Sequence, residues 1–312
     1  MFFSRQIAFA GPQTLHRLLA ISDAFRGEHR QPVRYRTALI TGATSGIGAA
    51  FGEALPPETM LLLTGRRSER LAASAARLTA QGRTIHTLAA DLSSASGRIA
   101  VIEWARGFGV DLLICNAGLG KSGRFIETFS TSHRETVEVN ILAPLEILDG
   151  LLPTMIATAR KLGRRCGVII VSSTAAFGPR PGMACYAASK AFLLRLGQAL
   201  AMELRDQPVD LLVLCPTYTS TEFFARADLP VPRDAMPPDA VAREGLAALG
   251  RRTVHLCGRR YQPLDQFFAF NPSLAIWRWP RRLRLSHRFA VQQGDFARKT
   301  DRRKQRFAPP RL

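Results

Sequence analysis

The sequence predicts an α/β domain built on a doubly wound, parallel, seven-stranded sheet flanked by helices, with basic extensions at the N- and C-terminal ends. Three observations predict it. From Thr37 onward, short aliphatic runs alternate with helix-length segments. Most of the runs are apolar at consecutive positions rather than at every second one, which is the pattern of strands covered on both faces. The first run ends in a glycine-rich turn that leads directly into a helix, the connection a strand–helix–strand unit requires.

The elements follow in order. Strands are expected at Thr37–Thr41, Met60–Thr64, Thr84–Ala89, Asp111–Cys115, Val168–Ser172, Val209–Cys215 and Thr253–Leu256. Between them, Ala, Leu, Glu and Arg recur at helical spacing over Gly46–Leu55, Ser68–Gln81, Ser96–Phe108, Ser132–Lys161 and Tyr186–Asp206, with one more helix over Pro237–Gly250. Pro56 and Pro57 stop the first helix early, because proline lacks the N–H and the backbone freedom a continuing helix needs. No internal repeat is visible.

Charge separates the domain from its ends. The chain has 312 residues, 43 Lys+Arg and 24 Asp+Glu, a formal net charge of +19. Residues 1–36 contribute +4 and residues 276–312 contribute +10, leaving +5 for the whole of 37–275. The middle is close to balanced, so a nucleic-acid-binding globular domain is excluded there, and 46% apolar residues exclude a fully disordered chain. The division expected is an N-terminal extension over 1–36, a catalytic domain over 37–258 and a basic, aromatic C-terminal extension over 259–312, disordered beyond about residue 293.

Residues 263–289 interleave aromatics with arginines. That composition suits contact with a membrane surface, and equally packing on the domain or against another subunit; nucleic acid is the least favoured partner. Leu15, Leu18, Leu19 and Phe25 are spaced for one amphipathic helix. No stretch reaches the roughly 18–20 uninterrupted apolar residues of a spanning helix, and no secretory signal is visible. Cys115, Cys166, Cys185, Cys215 and Cys257 show no metal or disulfide spacing. They are expected to be reduced thiols in a cytoplasmic protein.

The chemistry sits on the loops after the strands. Thr41-Gly42-Ala43-Thr44-Ser45-Gly46-Ile47-Gly48 closes the first strand. Glycines there permit a sharp turn and close approach of backbone to a pyrophosphate at the helix N-terminus. Asp91-Leu92 follows the third strand, Asn116-Ala117-Gly118 the fourth, and Ser172-Ser173 ends the fifth. Asn140 lies on the long helix, and Tyr186 and Lys190 are four apart on the next one, hence on one face.

Over about Thr37 to Leu256 the chain resembles the short, single-domain kind of short-chain dehydrogenase/reductase. The resemblance implies a Rossmann fold. It also implies a nicotinamide cofactor held by Gly42, Thr44, Ser45, Gly46, Ile47 and Gly48, by Asp91 and Leu92 at the adenine, and by Asn116, Ala117 and Gly118. Pro216 and Thr221, after the sixth strand, are implied as lesser contacts, as are Tyr186 and Lys190 themselves. Asn140, Ser173, Tyr186 and Lys190 fill the family's catalytic positions. Ser173 rather than Ser172 is selected because the family's interval to the tyrosine is thirteen. Two positions depart from the pattern: Cys115 stands where a second Asn often precedes the Asn-Ala-Gly, and Thr217 where Gly is common beside the nicotinamide amide.

These residue types suit carbonyl–alcohol interconversion. A phenol titrates near 10, and an adjacent ammonium together with a cationic nicotinamide would favour its ionised form. Tyr186 would then be the general acid/base. Ser173 would hydrogen-bond the substrate oxygen, Lys190 would hold the ribose hydroxyls, and Asn140 would hold a water linking Lys190 to solvent. At the end of the second strand, Gly65 is followed by Arg66 where an acid would favour NAD, and a guanidinium suits a 2′-phosphate, so NADP is preferred; Arg67 is the weaker candidate. Phe223 and Phe224, in the segment after Thr221, suit either an apolar substrate face or packing of a lid on the core.

The function expected is an NADP-dependent carbonyl reductase or alcohol dehydrogenase acting on a ketone or aldehyde, as a homo-oligomer. Two alternatives are a non-catalytic NADP-binding scaffold, for which no expected loss of Tyr or Lys is seen, and a sugar-nucleotide epimerase or dehydratase, whose glycine spacing and larger C-terminal domain do not match.

Overall fold

The structure, a computed structural model, describes residues 34–258. The expectations for the N-terminal amphipathic helix, for 263–289 and for the basic tail lie outside the described residues.

Seven strands, β1 (Thr37–Thr41), β2 (Met60–Gly65), β3 (Ile85–Ala89), β4 (Leu112–Cys115), β5 (Cys166–Val171), β6 (Val209–Cys215) and β7 (Val254–Leu256), form one sheet in the order β3-β2-β1-β4-β5-β6-β7. Every pairing is parallel. The order reverses between β1 and β4, and the loops after those strands diverge there to open a crevice at their carboxyl ends.

Helices cover both faces. On one side lie α1 (Gly46–Ala54), α2 (Ser68–Thr79) and α8 (Pro238–Ala248); their Phe51, Leu71, Leu78 and Val241 pack on Ile40, Leu63, Ile114 and Leu214. On the other lie α3 (Ala95–Arg106), α5 (Ala143–Lys161) and α6 (Ala184–Glu203), whose Val101, Ile147, Leu151 and Leu193 pack on Leu39, Leu62, Leu113 and Ile170. Adjacent strand residues thus enter opposite cores. This is why the runs are apolar throughout, and each buried Leu or Ile contributes about 1.5–3 kcal/mol. All five cysteines are free; Cys115, Cys166, Cys215 and Cys257 are buried and Cys185 half-buried.

The segment read as one helix over 132–161 is built differently. It is α4 (Ser130–Val137), a π turn (Glu138–Leu142) and α5. Pro144 lacks an N–H, so the carbonyl of Asn140 loses the donor that an unbroken α-helix would supply. Arg98, only 4% exposed, braces the turn, bonding Glu138 and Glu146 at 2.8 Å each and the carbonyl of Leu92 at 3.1 Å. The run 130–161 is long and apolar enough in composition to span a membrane, yet Ile147, Leu148, Leu151, Leu152 and Met155 are buried in the core on this face of the sheet. One further short helix, α7 (Phe223–Arg226), follows β6.

Candidate active site

Glycine geometry shapes the nucleotide end of the crevice. Gly42 and Gly46 have φ of +66° and +57°, a region costly for other residues. A Cβ on Gly42 would meet Ala117 Cα at 2.8 Å, and one on Gly48 would meet the Gly42 carbonyl oxygen and Asn116 Nδ2 at 2.4 Å each. The turn is therefore pressed against the loop after β4. Asn116 Nδ2 donates to the Thr41 carbonyl at 2.9 Å, and Thr41 Oγ1 accepts from the amides of Asn116 and Ala117 at 3.0 Å each.

Gly48→Ala is expected to destabilise. Helix propensity alone would favour Ala by up to about 1 kcal/mol, but a Cβ forced on two backbone-anchored atoms costs about 1–3 kcal/mol. A loss smaller than about 0.5 kcal/mol in denaturant unfolding would show that the turn has room.

Ser45, the residue before α1, makes no side-chain cap, so the amides of the first turn are left for an anion in the crevice. Gly42, Thr44, Ser45, Gly46, Ile47, Arg66, Asp91, Leu92, Asn116, Ala117, Gly118, Ser173, Tyr186, Lys190, Pro216 and Thr221 all line this one crevice. Gly48 and Asn140 stand behind its wall. The Asp91 carboxylate accepts from the amide and hydroxyl of Ser93, and the amide bond holds its pKa below the ordinary range. The Thr221 hydroxyl accepts from the Phe223 amide at 3.3 Å, while its methyl closes on Gly46. These residues fit a dinucleotide laid across the switch point, with its pyrophosphate at the start of α1.

The two arginines, both at the crevice wall, are placed differently. Arg66 extends outward to Glu135 at 2.8 Å and is half exposed. Arg67 turns inward instead: its Nη2 lies 3.0 Å from both Thr44 Oγ1 and Ser45 Oγ, and its Nη1 lies 2.8 Å from Glu222. Glu222 also pairs with Arg70 and Arg226, and the Arg67 hydrogen bond is the chief cause holding its carboxyl down to about 2. Residue 66 leaves the strand pointing to the crevice mouth, whereas residue 67, the N-cap of α2, is aimed back at the turn.

At the other end, Ser173, Tyr186 and Lys190 converge. Ser172 Oγ donates to the Lys190 carbonyl and is buried, leaving Ser173 on the crevice side, where its Oγ accepts from the Ala175 amide. Lys190 Nζ, buried, donates to the Val171 carbonyl at 2.9 Å and lies 5.8 Å from the Tyr186 ring centroid. Burial pushes its pKa down to about 8. Burial pushes the Tyr186 phenol upward, opposed by a hydrogen bond with Ser173 and by the charge of Arg180.

Asn140 is fully buried and its amide is spent on the protein. Oδ1 accepts from the Leu119 amide, and Nδ2 donates to the Leu119 carbonyl and to Ser189 Oγ, with all three distances between 2.8 and 2.9 Å. Ser189 Oγ in turn donates to the Tyr186 carbonyl. The Asn140 side chain is thus a positioning group for the loop after β4 and for α6. Ser189, Arg180 and Glu222 are additions to the sequence reading. The signals were a hydroxyl directly before Lys190, and a lone charge within Gly178-Pro179-Arg180-Pro181-Gly182.

The paired phenylalanines divide. Phe223 stacks toward Tyr186 at 5.0 Å between ring centroids, inside the crevice, while Phe224 is buried against Phe223 and Tyr218. Both line the crevice, Phe223 against Tyr186 and Phe224 more deeply buried.

Residues 36–230 match the short chain dehydrogenase family. The chain belongs to that family. An uncharacterized oxidoreductase of Myxococcus xanthus is 32% identical over 215 residues, 68% of this chain and 83% of the relative. The solved short-chain dehydrogenase from Sphingobium yanoikuyae in complex with NADPH is 28% identical with a TM-score of 0.67, covering 78% of this chain and 96% of that one. The 3-ketoacyl-(acyl-carrier-protein) reductase from Brucella melitensis complexed with NADH is 26% identical with a TM-score of 0.62, covering 71% and 95%. As a short-chain dehydrogenase, the protein is an oxidoreductase acting on CH–OH groups, with the seven-stranded Rossmann-like sheet of that family.

Proposed function

We propose that this short-chain dehydrogenase is an NADP-dependent enzyme interconverting a ketone or aldehyde with its alcohol, with Tyr186 as general acid/base. The convergence of Ser173, Tyr186 and Lys190 at the end of a glycine-walled crevice carries the reading. The nicotinamide cofactor supplies or accepts the hydride. Tyr186 Oη gives its proton to the carbonyl oxygen in reduction and takes the alcohol proton in oxidation. Ser173 Oγ holds the substrate oxygen as charge develops on it. Lys190, whose Nζ lies 5.8 Å from the Tyr186 ring centroid, would hold the ribose hydroxyls of the bound cofactor. The carbonyl of Asn140, denied its helical donor by Pro144, accepts the water through which the proton is resupplied.

NADP preference is assigned to Arg67, with Thr44 and Ser45, rather than to Arg66. A bidentate guanidinium beside two hydroxyls suits a phosphate dianion. Glu222 holds that guanidinium now and must yield it. Glu222→Gln is therefore expected to tighten NADPH about five-fold, since unit charges about 4 Å apart in water repel by about 1 kcal/mol. Arg67→Gln should weaken NADPH about ten-fold with NADH little changed. Titration of both cofactors, followed by a carbonyl panel read by loss of nicotinamide absorbance, tests the reading. Tighter binding of NADH than NADPH would overturn the NADP assignment, and failure of every carbonyl would overturn the activity.

A further inference from the structure

Beside Tyr186 the crevice is lined by Leu119, Met183, Tyr218, Phe223 and Leu229, apolar or aromatic, with the hydroxyls of Thr217 and Thr219 among them. Arg180 lines the same space. The other charged lining residues belong elsewhere: Arg66, Arg67, Arg226 and Asp91 lie at the nucleotide end, and Lys190 is buried against the Val171 carbonyl. Among the described residues Arg180 forms no ion pair, and its hydrogen bond is a long one, Nη1 to the Tyr218 hydroxyl at 3.4 Å. A guanidinium has five donors in a planar fork. Most of them therefore remain available to whatever enters the crevice.

We propose that Arg180 binds a carboxylate of the substrate, so that the enzyme reduces oxo acids and oxidises the corresponding hydroxy acids. This rests on the carbonyl–alcohol reading above and names its substrate class. Arg180 and Tyr186 line the same crevice, which puts the anion-binding fork in the space that holds the reacting carbonyl. The fork matches the two oxygens of a carboxylate, and the apolar wall suits the carbon chain between the two groups. In reduction a hydride from the nicotinamide forms the new C–H bond, the C=O π pair moves to oxygen, and that oxygen takes the Tyr186 proton. The carboxylate is unchanged and keeps its charge throughout.

The test compares oxo acids of graded chain length with their methyl esters, in wild type and in Arg180→Gln and Arg180→Lys. Wild type is expected to favour the acid over its ester by about 10- to 100-fold in kcat/KM, the worth of hydrogen bonds to a charged group. Arg180→Gln should bring that ratio close to one, mainly through KM for the acid, and Arg180→Lys should restore part of it. A merely structural or electrostatic role at Tyr186 would lower acid and ester alike and leave the ratio unmoved, which would overturn the proposal. So would a monoalkyl phosphate ketone preferred over the oxo acid of equal length.

Binding is read separately by isothermal titration of sodium pentanoate into wild type and Arg180→Gln. Binding lost in the variant supports the carboxylate site even if no carbonyl is reduced, in which case the activity reading alone falls. Reduction of neutral ketones with no pentanoate binding and no preference for acids would overturn the carboxylate site and leave the activity standing.

Discussion

Tyr186→Phe is expected to lower kcat for carbonyl reduction by about 10²–10⁴-fold, the usual worth of a positioned acid/base, while NADPH binding changes little. The ring fills the same space against Phe223, so the fold is preserved and only the proton is removed. A variant that retained full NADPH-dependent reduction would sink the mechanism. The pH dependence has a definite sign. Burial keeps the phenol protonated above its ordinary range, against the opposing pull of Ser173 and Arg180. In the cofactor-free enzyme it is thus already a proton donor at neutral pH. Reduction should stay level through neutrality and fall only where the phenol ionises, whereas oxidation, which needs the phenolate, should rise with pH. Parallel profiles for the two directions would contradict this assignment.

Lys190→Met is expected to abolish most activity and yet stabilise the cofactor-free protein at pH 7. The ammonium is 3% exposed and its pKa falls from 10.5 to about 8. A depression of that size corresponds to about 3 kcal/mol of burial penalty on the charged form. Removing the ammonium also strands the Val171 carbonyl it now bonds, at about 1–3 kcal/mol, so a net gain of up to about 2 kcal/mol remains. The sign follows from linkage. Between about pH 8 and 10.5 the unfolded chain binds more protons at this lysine than the native one, so wild-type stability at this site rises with pH. The advantage of the variant should therefore be fully present below pH 8 and shrink as pH climbs toward 10.5. Denaturant unfolding of both proteins at pH 7 and pH 9.5 measures it; a variant less stable than wild type at pH 7 would refute the burial argument. Such a cost in stability is what burying a cation in a crevice entails.

The central strands were legible because they are apolar on both faces: alternate residues such as Leu39 and Ile40 serve different cores. The glycine turn, Asn116, Ser173, Tyr186 and Lys190 could be placed because their spacing fixes which strand end or helix face they occupy. The π turn at Glu138–Leu142 was hidden, since over five residues its period is hardly distinguishable from that of an α-helix, although Pro144 was a signal in plain view. The choice between Arg66 and Arg67 depends on how the chain leaves β2, and the role of Glu222 depends on a pairing across 155 residues. No local pattern carries either. Arg180 had a composition signal but no partner in sequence, because what it faces is a space made by the strand ends and the lid.

The reversal in strand order between β1 and β4 also orders events in time. Thr37 of β1 pairs with Met60 after a short excursion through α1, but the bond from the Asn116 amide to Thr41 closes a span of 75 residues. The entropy of closing a loop grows with its length, and long-range pairings are the slow steps of folding. The seam is also where the glycine turn meets Asn116 and Ala117. A folding chain can therefore complete the β1–β2–β3 half early and still have no nucleotide crevice, which comes into being only when β4 docks against β1.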